Sequence, residues 1–287
     1  MSRTFGLSTF TLASPFSERD AEAFDRTAGF GYELIEVCVE DPALLSGEWL
    51  AQQAERTGLA VGICGAFGPG RDVSSPEPAT REAALGYLRS CVDLAAATGS
   101  PHVAGPMYAV TGQTRMLDAE DRAAQFRRAA DALAEAADYA AGRGVRFAIE
   151  ALNRFETDLV NTVEQGLALC EATGAENVGL LLDTFHMNIE EKSLGDAVRL
   201  AGDRVFHVQV SENDRGTPGS GHVPWDEFFQ ALDDIDYDGQ LVVESFLPTV
   251  REIARAVSLW RPVAPSMDAL ARDGLAFLRE HGGGRAS

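Results

Sequence analysis

Basic residues are scarce in this chain: 24 lysines and arginines stand against 44 aspartates and glutamates, a formal charge of -20. So acidic a surface repels the phosphate backbone of nucleic acid and an anionic membrane face, and a small-molecule partner is expected instead. No run of 18 apolar residues is present, and the opening segment MSRTFGLSTFTLASPF shows no long apolar stretch followed by a cleavage pattern. A cytoplasmic location is therefore expected. The four cysteines, Cys38, Cys64, Cys91 and Cys170, form no CxxC pair. Three of them lie in apolar runs where a free thiol packs as a small hydrophobe, so no disulfide framework is expected. Phosphate cradles are missing too: there is no GxxxxGK[ST], and no GxGxxG between a first strand and helix. GAFGPGRD, with Arg71, reads as a turn, and a free, unphosphorylated ligand is the simpler expectation.

Eight short apolar runs alternate with amphipathic helical segments: TFGLSTF, YELIEVC, AVGICGA, HVAGPM, VRFAIE, VGLLLD, VFHVQV and QLVVESF. Eight strand-plus-helix units in 287 residues predict one α/β domain, a (β/α)8 TIM barrel over residues 1–281, with a loose tail over 282–287. The Ala-rich segment from Glu120 to Arg143 has strong helix propensity and ends on Gly-Arg-Gly. Gly58, Gly99, Gly144, Gly174 and Gly239 each precede a strand, where a left-handed residue would close the helix before it. Two stretches exceed what a barrel needs, Phe67 to Glu77 and Asn213 to Pro224. Both follow strands, on the rim where the active-site loops of such barrels lie.

Glu150, Asp183, Gln209 and Glu244 close four of the apolar runs, at spacings of 33, 26 and 35 residues (183 − 150, 209 − 183, 244 − 209). In a parallel barrel they would meet at one rim. An ionised carboxylate behind four or more apolar residues is costly unless something compensates it. Ion pairing with Arg154 or Arg215 is one way. A bound cation explains more, and three carboxylates with an amide oxygen suit Mn²⁺ or Mg²⁺ better than Zn²⁺, which favours His and Cys.

The chain resembles the sugar isomerases and epimerases with a xylose-isomerase-like barrel, closest to the ketose 3-epimerases of the D-tagatose, D-allulose and L-ribulose kind. The resemblance spans nearly the whole chain. It is carried by IEALNRFETDLVNT from Ile149, LLDTFHMNIEE from Leu181, HVQVSENDRGTPGSGHVPWDEF from His207 and VVESF from Val242. It implies that Glu150, Asp183 and Glu244 hold a metal and that the two glutamates also exchange a proton. Glu156, His186 and Arg215 would hold substrate oxygens. The implied cofactor is Mn²⁺, with Mg²⁺ or Co²⁺ as substitutes, and the implied assembly is a homodimer or homotetramer. Gln209 departs from the pattern, because ketose 3-epimerases usually carry His there. Gln at the equivalent place is similar to hydroxypyruvate isomerases, and an amide oxygen should tilt preference towards Mn²⁺ or Mg²⁺.

The implied reaction is metal-dependent epimerisation at carbon 3 of a free ketose, or a related aldose–ketose isomerisation, through an enediolate. A lyase acting on a keto-sugar, keto-glycoside or keto-cyclitol would use the same metal and base. A non-catalytic sugar-binding barrel is the third reading, supported only by Gln209. Among weaker candidates, His207 shares the face of Gln209 and is expected deeper in the barrel, while His102 and His222 read as structural. Phe10, Met107, Tyr108 and Trp260 are candidates for an apolar wall against the sugar, with Tyr108 taken as substrate-binding.

Overall fold

The structure is a computed structural model and describes residues 3–284. In chain order its elements are β1 (Thr4–Ser8), α1 (Glu22–Phe30), β2 (Leu34–Val39), α2 (Gly47–Thr57), β3 (Ala60–Gly65), α3 (Pro78–Thr98), β4 (His102–Gly105) and α4 (Ala119–Ala141). They continue with β5 (Arg146–Glu150), α5 (Val163–Thr173), β6 (Val178–Asp183), α6 (Thr184–Glu190), α7 (Leu194–Ala201), β7 (Val205–Val210), α8 (Trp225–Asp234), β8 (Gln240–Val243), α9 (Arg251–Ala256) and α10 (Met267–His281). The eight strands pair in sequence order, all parallel, and β8 closes on β1 through Thr4 opposite Gln240 and Leu7 opposite Val243. This is a single-domain (β/α)8 barrel, with every expected strand in its place.

Two apolar layers hold it. The larger lies between strands and helices, where Ile35, Val37, Ile63, Phe147, Leu180 and Val208 meet Leu50, Leu88, Leu133 and Phe228. The smaller is inside the barrel, where Cys38, Cys64, Ala104, Ala148 and Leu181 pack together. Side chains alternate in and out along a strand, so this inner set shares its face with Glu36, Glu150 and Asp183. Small residues there leave room for the polar groups at the mouth.

Left-handed glycines end α2, α3 and α5 at Gly58, Gly99 and Gly174, and Gly144 (φ 70°) turns the chain into β5. Gly239 does not act in this way. After α8 the positive-φ residue is Asp236 (φ 55°), so the reversal is complete before Gly239 is reached. Of the expected loose tail, Gly282 caps α10 and its carbonyl accepts from Arg3 Nη1 at 3.2 Å, while residues 285–287 lie outside the described residues. Among the described residues no helix is long and apolar enough to cross a membrane.

Candidate active site

Glu150 ends β5, Asp183 ends β6, Gln209 is the penultimate residue of β7, and Glu244 directly follows β8. Asp183 pairs in register with Gln209, and Gln209 with Val242. All four are at most 5% exposed. Asp183 is also the N-cap of α6, its Oδ1 accepting from the Phe185 N–H at 2.8 Å. With no loop between strand and helix, the first turn of α6 brings His186 back over the rim. Its Nε2 lies 3.4 Å from Glu150 Oε1 and 3.8 Å from Asp183 Oδ2.

Among the described residues, the loop after β7 supplies the only arginine or lysine lining the cavity above these groups. Arg215, held at φ 65°, places Nη1 2.5 Å from Asp183 Oδ2 and 3.0 Å from Glu244 Oε2. Its guanidinium also stands 4.1 Å over the Phe185 ring. Ion pairing is thus realised by Arg215, whereas Arg154 turns to the surface and pairs with Glu190 at 2.9 Å. One guanidinium does not balance three carboxylates. Burial pushes the Glu244 carboxyl well above the usual range, with Asp183 and Glu150 adding to the shift and Arg215 opposing it. Burial likewise raises Glu150, which His186 partly offsets.

These residues fit a hard divalent cation. Gln209 Oε1 is fully buried and has no hydrogen-bond partner among the described residues, so an acceptor stands ready beside a surplus of carboxylate charge. The ligand atoms of Glu150, Asp183 and His186 lie within 4.8 Å of one another, which makes the imidazole a further neighbour for such an ion.

Above this cluster lies a cavity of about 270 Å³. Its floor is Glu150, Glu156, His186, Arg215 and Glu244, and its walls include Phe10, Phe67, Leu152, Phe246 and Val257. The backbone N–H of Asn153 donates to His186 Nδ1 at 3.0 Å, which leaves the ring proton on Nε2, facing the cavity. Arg215 Nη2 is 2.9 Å from that same nitrogen. Glu156 is oriented by Asn153 Nδ2 at 2.8 Å. Arg71 is spent on backbone, donating to the Ala66 carbonyl at 2.6 Å and to that of Glu40.

Tyr108 requires a correction. It is fully buried behind the cavity wall, its hydroxyl donating to the Val160 carbonyl at 3.0 Å and accepting from the Leu152 N–H at 3.4 Å. It pins the β5–α5 loop and offers the cavity no atom. Met107 is buried as well, and Trp260 is 76% exposed, so of the four wall candidates Phe10 alone lines the cavity.

The sequence matches the xylose isomerase-like TIM barrel family over residues 24–281. The chain belongs to that family. It is 34% identical to the L-ribulose 3-epimerase of Mesorhizobium japonicum over 276 residues, covering 95% of this chain and 92% of the relative. It is 33% identical to the D-psicose 3-epimerase of Agrobacterium fabrum, covering 89% and 91%. The solved D-allulose 3-epimerase of Methylomonas sp. in complex with D-allulose superposes with a TM-score of 0.91 at 30% identity, covering 98% of this chain and 97% of that one.

Three residues of this xylose isomerase-like barrel escaped the sequence reading. Asn153 fixes His186 and Glu156 as described. Glu212, fully buried, accepts from the N–H groups of Asn213, Gly219 and Val223 and from Trp225 Nε1 at 2.8–3.1 Å, and so shapes the loop that carries Arg215. Glu36, buried on β2, faces His207 and Gln209 across the barrel. Its signal was present in YELIEVC, a carboxylate within an apolar run, as at Glu150. His207, two residues before Gln209 on β7, is buried as completely as Gln209, and His102 packs against it at a tilt with ring centroids 4.6 Å apart.

Proposed function

We propose that this protein is a divalent-metal-dependent epimerase that inverts carbon 3 of a free ketose by removing and returning a proton through an enediolate. The observation that carries this reading is the pair of buried glutamates, Glu150 and Glu244, set on opposite sides of Asp183 and Gln209 at the floor of one sugar-sized cavity. The kinship with L-ribulose and D-psicose 3-epimerases supports it.

Glu150, Asp183, Gln209 and Glu244 would hold the cation, and manganese suits their oxygens. When bound, the cation supplies Lewis-acid stabilisation of the negative charge that develops beside the carbonyl. Glu150 and Glu244 approach carbon 3 from opposite faces, so one takes the proton and the other returns one with inverted configuration. Which of them is the base depends on the hand of the substrate. His186 Nε2–H and Arg215 Nη2 bind substrate oxygens, and Glu156, oriented by Asn153, accepts from a hydroxyl. The apolar walls exclude water from the developing charge. Among the described residues Arg215 is the one arginine or lysine lining the cavity, which favours an unphosphorylated sugar. A homodimer or homotetramer in the cytoplasm completes the reading, and sedimentation analysis tests the assembly.

A panel of free ketoses and keto-glycosides incubated with the manganese-loaded protein in deuterium oxide tests the proposal. The expected result is a 3-epimer of unchanged carbon skeleton carrying one solvent deuterium. Loss of water or of an aglycone would make the protein a lyase, and an undeuterated, unconverted panel would refute both.

A further inference from the structure

We propose that Glu36 is a positioning residue that sets which end of the Gln209 amide faces the cation site, an inference that rests on the metal-dependent reading above. The two ends of an amide are alike in shape and opposite in function, one donating and one accepting. The side chain of Gln209 must therefore be told which way round to sit. Two carboxylates face the same end of it. Glu36 Oε1 lies 2.7 Å and Glu244 Oε1 3.1 Å from Gln209 Nε2. The Glu36 carboxylate accepts, so the end it holds is the nitrogen, and Oε1 is the end left without a partner.

Glu36 is itself fixed. Its second oxygen, Oε2, lies 2.6 Å from His207 Nε2. A carboxylate oxygen accepts, so Nε2 donates to Glu36, while His207 Nδ1 has no partner among the described residues. Glu36 thus accepts from two side chains of β7, on the far side of the barrel from its own strand, and all three are buried completely. Outer hydrogen-bond partners of this kind tune metal affinity by about 10- to 100-fold.

Glu36→Gln tests this directly. The new amide keeps one acceptor, which His207 takes, and turns its NH₂ towards Gln209 Nε2. The clash of donors is relieved when the Gln209 amide rotates by half a turn, which presents nitrogen to the cation. Manganese binding to the chelator-stripped protein, measured by calorimetry, is expected to weaken about 10- to 100-fold in E36Q. In Q209L there is no amide to orient, so E36Q/Q209L is expected to bind as Q209L does. A merely structural role for Glu36 would instead lower affinity by the same factor in both backgrounds. Should E36Q fail to fold, Glu36→Asp, which keeps the charge but withdraws it by one methylene, gives the same cycle with a smaller loss. Equal affinity of E36Q and wild type, or an equal loss in the Q209L background, overturns this inference while leaving the metal site standing. Failure of the wild-type protein to bind manganese would sink both.

Discussion

Arg215 Nη1 donates to Asp183 Oδ2 across 2.5 Å, both groups being buried, and so covers an oxygen that the metal-dependent reading gives to the cation. The guanidinium and a cation therefore compensate the same carboxylates. Arg215→Met keeps the aliphatic stem and removes the charge, leaving Asp183 and Glu244 without a positive partner. In the presence of a chelator this is expected to lower unfolding stability by about 3–5 kcal/mol, the usual cost of breaking a buried ion pair. With excess manganese the loss should be smaller, because the cation then neutralises both carboxylates. Urea unfolding under the two conditions makes the comparison, and an equal loss in each would mean that Asp183 and Glu244 share no metal.

Glu150 and Glu244 are expected to be needed together. Glu150→Gln and Glu244→Gln, each assayed at saturating manganese, should reduce epimerisation by about 10²- to 10⁴-fold, the span typical of a lost acid–base group. Exchange of solvent deuterium into the substrate should stop in both variants. Nuclear magnetic resonance of the recovered sugar reads this out, and near-normal exchange in both would refute the assignment of the pair.

The barrel was legible because eight short apolar runs alternate with amphipathic helical segments, and Glu150, Asp183 and Glu244 announced themselves by ending such runs. Glu36 did not, because it lies inside LIEVCV, and its partners on β7 become neighbours only when the barrel closes. Tyr108 was misread for a related reason: a strand-end aromatic can face cavity or wall, and the path of the β5–α5 loop, which captures its hydroxyl, decides between them. Gly239 was misplaced because Asp236 adopts the left-handed conformation first, a role that an aspartate fills less visibly than glycine. The pairing of Arg215 with the carboxylates was visible as a possibility but not as a geometry. It depends on Glu212 gathering the N–H groups of its own loop.

Gln209→His should change which ion the site prefers. Imidazole is a softer ligand than an amide oxygen, and Glu36 remains as an acceptor for its second ring nitrogen. The variant is expected to keep binding manganese while gaining affinity for zinc and cobalt by about tenfold or more, a difference of about 1.4 kcal/mol. Competition between zinc and manganese for the stripped protein measures the ratio. An unchanged ratio would mean that Gln209 does not touch the metal.

The cysteines give the fold a pH limit on the alkaline side. All four are free and buried. Burial pushes the Cys91 thiol up to about 12 against the pull of Tyr87 and Arg71, and burial likewise brings Cys170 to about 12, with Arg204 opposing. In the unfolded chain such thiols ionise near 9. Between these values the native state holds protons that the unfolded state has released, so the slope of stability against pH is negative. The contribution is complete below about pH 9 and is lost as pH rises through about 12. Urea midpoints at pH 8 and pH 10.5 should therefore fall more steeply in the wild type than in the Cys91→Ala/Cys170→Ala double variant. Thiol reagents should react slowly with the native protein at pH 8 and with all four cysteines in urea. Parallel pH slopes for wild type and double variant would show that these thiols ionise as readily folded as unfolded, and that their burial does not restrain them.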